Sequence, residues 1–215
     1  MNEETDKNVE AVKLFDKYAS AYNEKFTQLD LYNDSYNLFC ELVEKPNAKI
    51  LEIGCGPGNI TKYLLTQRPD FKIDATDLSP NMIELAKQNV LQASFHILDC
   101  RKILQLTGKY DGIVCGFVLP YLSIGECEKL VQDCAHLLMA SGIFYISFIE
   151  GNSENSGYEY GSNGKDKIFV NYYQSDYLIK KLAENNLHTS QVIEKNYLKS
   201  NGITEIHKII LARKN

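Results

Sequence analysis

Two rhythms of apolar and polar positions organise this chain. In its opening segment Val9, Val12, Phe15, Ala19 and Tyr22 recur every three or four residues, which predicts an amphipathic helix. The stripe breaks near Lys25 to Asn33, and a second helix is predicted through Leu38, Leu42 and Val43 until Pro46. From Lys49 onward short apolar runs alternate with helical stripes. The runs are Ile50–Ile53, Phe71–Thr76, Phe95–Leu98, Gly112–Cys115 and Ile143–Ile149. Helices are predicted over about Ile60–Thr66, from Pro80 (Met82, Leu85, Ala86, Val90), and after Ser123 (Cys127, Leu130, Val131, Cys134, Leu138). Buried strands alternating with helices imply a parallel sheet covered on both faces.

Local signals sharpen these boundaries. Ser79-Pro80 supplies an N-cap and a first-turn proline. Ser123-Ile124-Gly125-Glu126 is a capping box, and Gly142 ends the region after it. Residues 151–170 are rich in Gly, Asn and Ser, with Tyr158 and Tyr160 embedded, and are expected to form a long loop. A helix is expected from about Ser175 to Asn185. Asn201-Gly202 then reads as the turn of a hairpin between His188–Tyr197 and Ile203–Ala212. The expected organisation is one domain over 1–215, with a helical cap at 1–46 and an α/β core at 47–215.

The richest chemistry lies at Ile50-Leu51-Glu52-Ile53-Gly54-Cys55-Gly56-Pro57-Gly58-Asn59. A strand runs into a glycine turn and then a helix, so a ligand can approach bare backbone and unpaired helix N–H groups. The spacing is G-x-G-x-G, not the G-x-G-x-x-G of dinucleotide binders, and Glu52 would repel a pyrophosphate. No Gly-Lys-Ser/Thr follows, which excludes a P-loop.

At these residues the chain resembles the class I S-adenosylmethionine (SAM)-dependent methyltransferases, whose first motif is similar to Glu52, Gly54, Gly56 and Gly58. The resemblance covers about residues 48 to 150 well and the rest more loosely. It implies a Rossmann-like α/β fold with a mostly parallel seven-stranded sheet, helices on both faces and a C-terminal antiparallel hairpin. It also implies SAM as cofactor and S-adenosylhomocysteine (SAH) as product. Asp77, at the end of the second strand, stands where the family binds the ribose hydroxyls. Asp99, after the third, stands where the family binds the adenine amino group. Leu78, Met82 and Cys100 are expected beside the adenine, and Cys55 and Gly116 along the cofactor. Each has a plainer reading, Asp77 as a helix cap, Asp99 as a solvated acid, Met82 and Cys100 as core.

Acceptor contacts are less legible. Tyr18 and Tyr22 share a helix face, and aromatics there in similar small-molecule methyltransferases approach the cofactor or roof the substrate. Tyr22 is assigned to the cofactor. Tyr18, Tyr121, Glu150, Tyr158 and Tyr173 are the acceptor-side candidates by position, with helix rim, solvated acid and sheet-edge packing as their alternatives. Val118-Leu119-Pro120-Tyr121 stands in place of the family's Asn/Asp-Pro-Pro-Tyr/Phe, which argues against methylation of adenine N6 or a glutamine amide. No residue declares itself as a base.

Composition bounds the partners. The 215 residues are 44% hydrophobic and 24% charged, with net charge −5, which leans against broad nucleic-acid contact. No stretch approaches the ~20 apolar residues of a membrane helix, and Met1–Asp6 is acidic and polar, unlike a signal peptide. Cys40, Cys55, Cys100, Cys115, Cys127 and Cys134 form no C-x-x-C, and His96, His136, His188 and His207 are scattered, so no metal is expected. The reading is a cytoplasmic SAM-dependent methyltransferase, monomer or homodimer, acting on a small molecule without nucleic-acid or membrane partners. A non-catalytic SAM-binding regulator, a nicotinamide oxidoreductase and an RNA methyltransferase remain as alternatives.

Overall fold

The computed structural model describes residues 6–26, 29–161, 164–199 and 201–215. The first five residues, Thr27 and Gln28 of the expected break, and Ser162 and Asn163 of the expected loop lie outside that set. Three helices precede the first strand: α1 (Lys7–Lys17), α2 (Ala19–Phe26) and α3 (Asn33–Leu42). Asp6 caps α1, its carboxylate accepting from the Asn8 and Val9 N–H groups.

The sheet is built from β1 (Lys49–Ile53), β2 (Lys72–Asp77), β3 (Ser94–Ile97), β4 (Tyr110–Cys115), β5 (Leu138–Ile149), β8 (Leu187–Leu198) and β9 (Thr204–Lys214). Helices α4 (Asn59–Gln67), α5 (Pro80–Asn89) and α6 (Ile124–Leu137) connect the parallel strands, and α7 (Ser175–Glu184) precedes β8. Strand order is β3-β2-β1-β4-β5-β9-β8. The first five are mutually parallel, and β9 runs antiparallel between β5 and β8. Strand order reverses between β1 and β4, and a crevice opens beyond their carboxyl ends.

Alternation along each strand feeds two cores. Leu51, Ile53, Ile113, Phe144 and Ile146 pack with Leu130 and Cys134 of α6 and Leu178 and Leu182 of α7. Ile50, Ile73, Ala75, Val114 and Tyr145 pack with Phe39 of α3, Leu64 of α4 and Ile83 of α5. Each such aliphatic side chain contributes about 1.5–3 kcal/mol on burial. The capping box at Ser123 and Glu126 is present, and Ser79 accepts from the Met82 N–H with Pro80 in the first turn.

Two local expectations are corrected. Residues 151–170 are not a plain loop. They contain a short 3-10 turn (Ser153–Asn155) and a hairpin of β6 (Gly157–Tyr160) with β7 (Lys167–Val170). Tyr158 and Phe169 pack edge to face across this hairpin, and the Lys167 ammonium sits 4.2 Å from the Tyr158 ring centre. Strand β5 also starts before Gly142: Leu138, expected on the helix, pairs with Tyr110 instead, with a register shift before Gly112. Ser141, at φ +63°, accommodates the irregularity.

Candidate active site

The glycine turn depends on backbone that other residues do not supply. Gly54 has φ +68°, and a Cβ there would meet Val118 Cγ2 at 2.3 Å. Gly58 has φ +86° and lies where a Cβ would touch the Ala86 backbone at 3.4 Å, so it lets α5 approach the start of α4. The turn is pinned from β2. Asp77 Oδ2 accepts from the Gly56 N–H at 2.9 Å and Oδ1 from the Ser79 N–H at 2.8 Å. Burial pushes the Asp77 carboxyl above its ordinary range, opposed by the bonds from Ser79 and Gly56.

Two cavities meet over this turn. The narrower, about 130 Å³, has Gly54, Gly56, Asp77, Ser79 and Asn8 as polar walls and Leu78, Met82, Leu98, Cys100 and Val118 as apolar ones. Helix α1 roofs it with Ala11, Val12 and Phe15. The wider, about 490 Å³, extends past Cys55 and Pro57 to Tyr32, Tyr36, Tyr63, Tyr197 and His207. Phe15, Tyr22, Gly54, Gly56, Gly116, Phe117 and Tyr121 line both. Among the described residues, the wider lining holds the acids Asp30 and Glu205 and no lysine or arginine.

The roof is fastened by specific bonds. Asp16 of α1 accepts from Ser79 Oγ at 2.6 Å and from the Asn81 N–H at 2.9 Å, at the N-terminus of α5. Asn8 Nδ2 donates to the Tyr121 carbonyl at 3.2 Å. Arg101 donates to Asp6, Asp99 and Glu126, tying the start of α1 to the segment after β3.

Of the sequence candidates, Gly54, Gly56, Asp77, Leu78, Met82, Cys100, Gly116, Tyr22 and Tyr121 line the narrow cavity, and Cys55 lines the wider one. Others lie outside both linings. Glu52 is fully buried beneath the turn, where Oε2 accepts from the Thr61 hydroxyl and Oε1 has no hydrogen-bond partner among the described residues. Burial raises its carboxyl to about 8. Gly58 packs on α5. Asp99 is engaged by the Arg101 guanidinium at 2.8–3.1 Å, and its neighbours Leu98 and Cys100 are in the narrow lining.

The acceptor-side candidates other than Tyr121 are not among the lining residues of the two cavities. Tyr18 bonds Asp166 at 2.5 Å, and Tyr158 bonds Glu10 at 3.2 Å, both partly exposed. Glu150 accepts from the Ser175 N–H and hydroxyl at the start of α7. Tyr173 is core, donating to the Leu122 carbonyl at 2.6 Å. Tyr18 is a candidate by its helix face and the others by their places near strand ends and loops; each is engaged by a partner outside the two linings.

Further wall residues complete the site, Phe117 from the run that follows β4 and others that no local pattern marked. Phe117 has φ +54°, rare for a bulky side chain, with its N–H on Ser147 Oγ at 2.9 Å. Tyr32, Tyr197, Glu205 and His207 come from the start of α3 and from the C-terminal hairpin. Only contacts between distant segments unite them, and no local motif marks such contacts.

Residues 50–142 match a methyltransferase domain family. The chain is 34% identical over 111 residues to the malonyl-[acyl-carrier protein] O-methyltransferase of Acetivibrio thermocellus, a match over 50% of this chain and 38% of that enzyme. With the Bacillus cereus enzyme of the same name, identity is 24% over 82% of this chain and 67% of the relative. The chain thus spans from about a third to two thirds of the length of these curated relatives. Among solved structures, magnesium protoporphyrin IX methyltransferase from Synechocystis PCC 6803 with bound SAM superposes with a TM-score of 0.74 at 17% identity, over 100% of both chains. The 1,6-didemethyltoxoflavin-N1-methyltransferase of Burkholderia thailandensis, with its substrate and SAH, gives 0.72 at 18% identity, over 96% of this chain and 88% of that one. Over residues 50–142 the chain is similar to methyltransferase domains, and it has the fold of the solved SAM-dependent methyltransferases.

Proposed function

We propose that this protein binds SAM in the narrow cavity and transfers its methyl group to a small molecule held in the wider one. The observation that carries this reading is Asp77, a half-buried carboxylate that is, among the described residues, the one charged side chain in the lining of the narrow cavity. One oxygen accepts from Gly56 of the turn and the other from the Ser79 N–H, and each keeps a further acceptor site for a ribose hydroxyl. Leu78, Met82, Leu98 and Cys100 form an apolar slot that suits a planar base. The absence of a side chain at Gly54 and Gly116 leaves room for the amino-acid end.

When bound, the cofactor supplies a methyl group already activated on a cationic sulfur. The chain's work is then alignment and exclusion of water. Phe15, Tyr22, Phe117 and Tyr121 surround the junction of the two cavities. Their ring faces suit a cation and keep the junction dry. A cavity walled by rings and enclosed by helices suits a small acceptor better than a polymer.

Calorimetric titration tests the cofactor assignment. Asp77→Asn and Asp77→Ala should weaken SAM binding by about tenfold or more, since hydrogen bonds to a charged group contribute ~1.5–3 kcal/mol. Unchanged affinity in a folded Asp77→Asn protein overturns the ribose assignment.

A further inference from the structure

The wider cavity contains a chain of three polar side chains that the methyl-transfer reading leaves unused. Tyr32, His207 and Glu205 all line it. The Tyr32 hydroxyl lies 2.7 Å from His207 Nδ1, and Glu205 Oε2 lies 3.4 Å from His207 Nε2. Tyr32 and His207 are both nearly buried. The imidazole is held flat against Tyr197, ring centres 4.8 Å apart, and Phe117 packs on it at the same distance. Phe117 is shared by the two cavities, so this chain of groups stands beside their junction.

We propose that Tyr32, His207 and Glu205 form a proton relay that ionises an aromatic hydroxyl group of the methyl acceptor. This deepens the methyl-transfer reading and rests on it. The carboxylate of Glu205 fixes the tautomer: it takes the Nε2–H, which leaves the Nδ1 lone pair to accept from Tyr32. Lys199 stands behind Glu205 at 2.7 Å, and Glu159 lies on the other side of Lys199 at 2.6 Å. Burial pushes the Glu205 carboxyl up, but the bonds from His207 and Lys199 outweigh it and hold the group below its ordinary value. Burial pushes Tyr32 well above its ordinary value, so its hydroxyl stays protonated and donates. Lys195, level with His207 on β8, is paired with Asp34 at 2.6 Å.

The step balances as follows. The acceptor's O–H bond breaks and its proton passes to the Tyr32 oxygen. The Tyr32 proton passes to His207 Nδ1, and the resulting imidazolium faces the Glu205 carboxylate. The phenolate oxygen then bonds to the methyl carbon while the methyl–sulfur bond breaks and its electron pair stays on sulfur. One proton is released to water when His207 resets. An aromatic hydroxyl fits because a neutral phenol is a poor nucleophile, whereas an amine attacks before losing its proton. The ring-lined wall suits a planar guest, and among the described residues it holds no lysine or arginine to counter a carboxylate acceptor.

The probe is 4-nitrophenol, whose phenolate is coloured and whose neutral form is not. It is added to the full chain, with and without SAH, at a pH below its titration in water, and its binding is followed separately by calorimetry. The expected result is that bound probe is coloured in the wild-type protein. His207→Gln and Tyr32→Phe should bind it without colour, and Glu205→Gln should move the colour to higher pH. Thermal unfolding of each variant checks that the wall is intact. Absence of binding, neutral bound probe, or colour that survives in folded His207→Gln overturns the relay. SAH titration stands apart from the colour, so failure of the cofactor reading is seen separately.

Discussion

Gly54 and Val118 face each other across the floor of the narrow cavity with no room for a methyl group between them. Gly54→Ala would place a Cβ 2.3 Å from Val118 Cγ2 at a left-handed φ of +68°. The left-handed conformation alone costs about 1–2 kcal/mol, and the clash adds to it. Weaker SAM binding and a lower melting temperature are expected, by calorimetry and thermal unfolding. Glu52 sets a different dependence. Its buried carboxyl sits at about 8, against an ordinary 4.5, so the folded state holds its proton more tightly than the unfolded chain. A raised carboxyl contributes stability below pH 4.5 that is lost as pH climbs toward 8. Glu52→Gln keeps the shape and an acceptor for Thr61 but cannot ionise, so its melting temperature should fall less across that window. An identical pH profile in the two proteins would contradict this account of Glu52. At this scale the glycine turn and Asp77 were legible in the sequence because each is a local signal at a strand end. Asp99 was legible only as an acid after a strand, and its engagement by Arg101, two residues on, was not. Tyr32 and His207 were invisible, being 175 residues apart in sequence and joined only by the fold.

Helix α1 acts as a roof because one carboxylate, Asp16, replaces solvent at the N-terminus of α5. It bonds Ser79, the Asn81 N–H and the Asn81 amide, where a negative charge also suits the helix dipole. Asp16→Ala should loosen α1 while leaving the sheet intact. Hydrogen exchange should quicken in residues 7–17 and not in β1 or β4, and SAM binding should weaken because Phe15 and Val12 no longer close the cavity. Uniform exchange rates in variant and wild type would contradict the roof. The same comparison shows which elements declare themselves. The parallel strands, α5 with Ser79-Pro80 and α6 with its capping box were readable because period, cap and turn agreed. The β6–β7 hairpin was not, since Gly, Asn and Ser at its ends mask two short strands whose pairing rests on Tyr158 and Phe169. The early start of β5 was hidden because Leu138 fits the helical stripe as well as the strand.

For the whole molecule, the sheet's reversal between β1 and β4, the turn between them and the three N-terminal helices converge on one junction of two cavities. The likeness to solved methyltransferase structures at 17–18% identity shows this architecture, and the walls of the wider cavity come from both ends of the chain. Among the described residues no helix is long and apolar enough to cross a membrane. A ligand that binds only the folded state raises its stability, by about 2.7 kcal/mol at a hundredfold excess over its Kd. The central claim is that the narrow cavity is a SAM site, and calorimetric titration of the protein with SAM, SAH and NADH tests it most directly. The account predicts saturable binding of SAM and SAH at one site per chain and none of NADH. Binding of NADH in their place, or of none of the three, would contradict it.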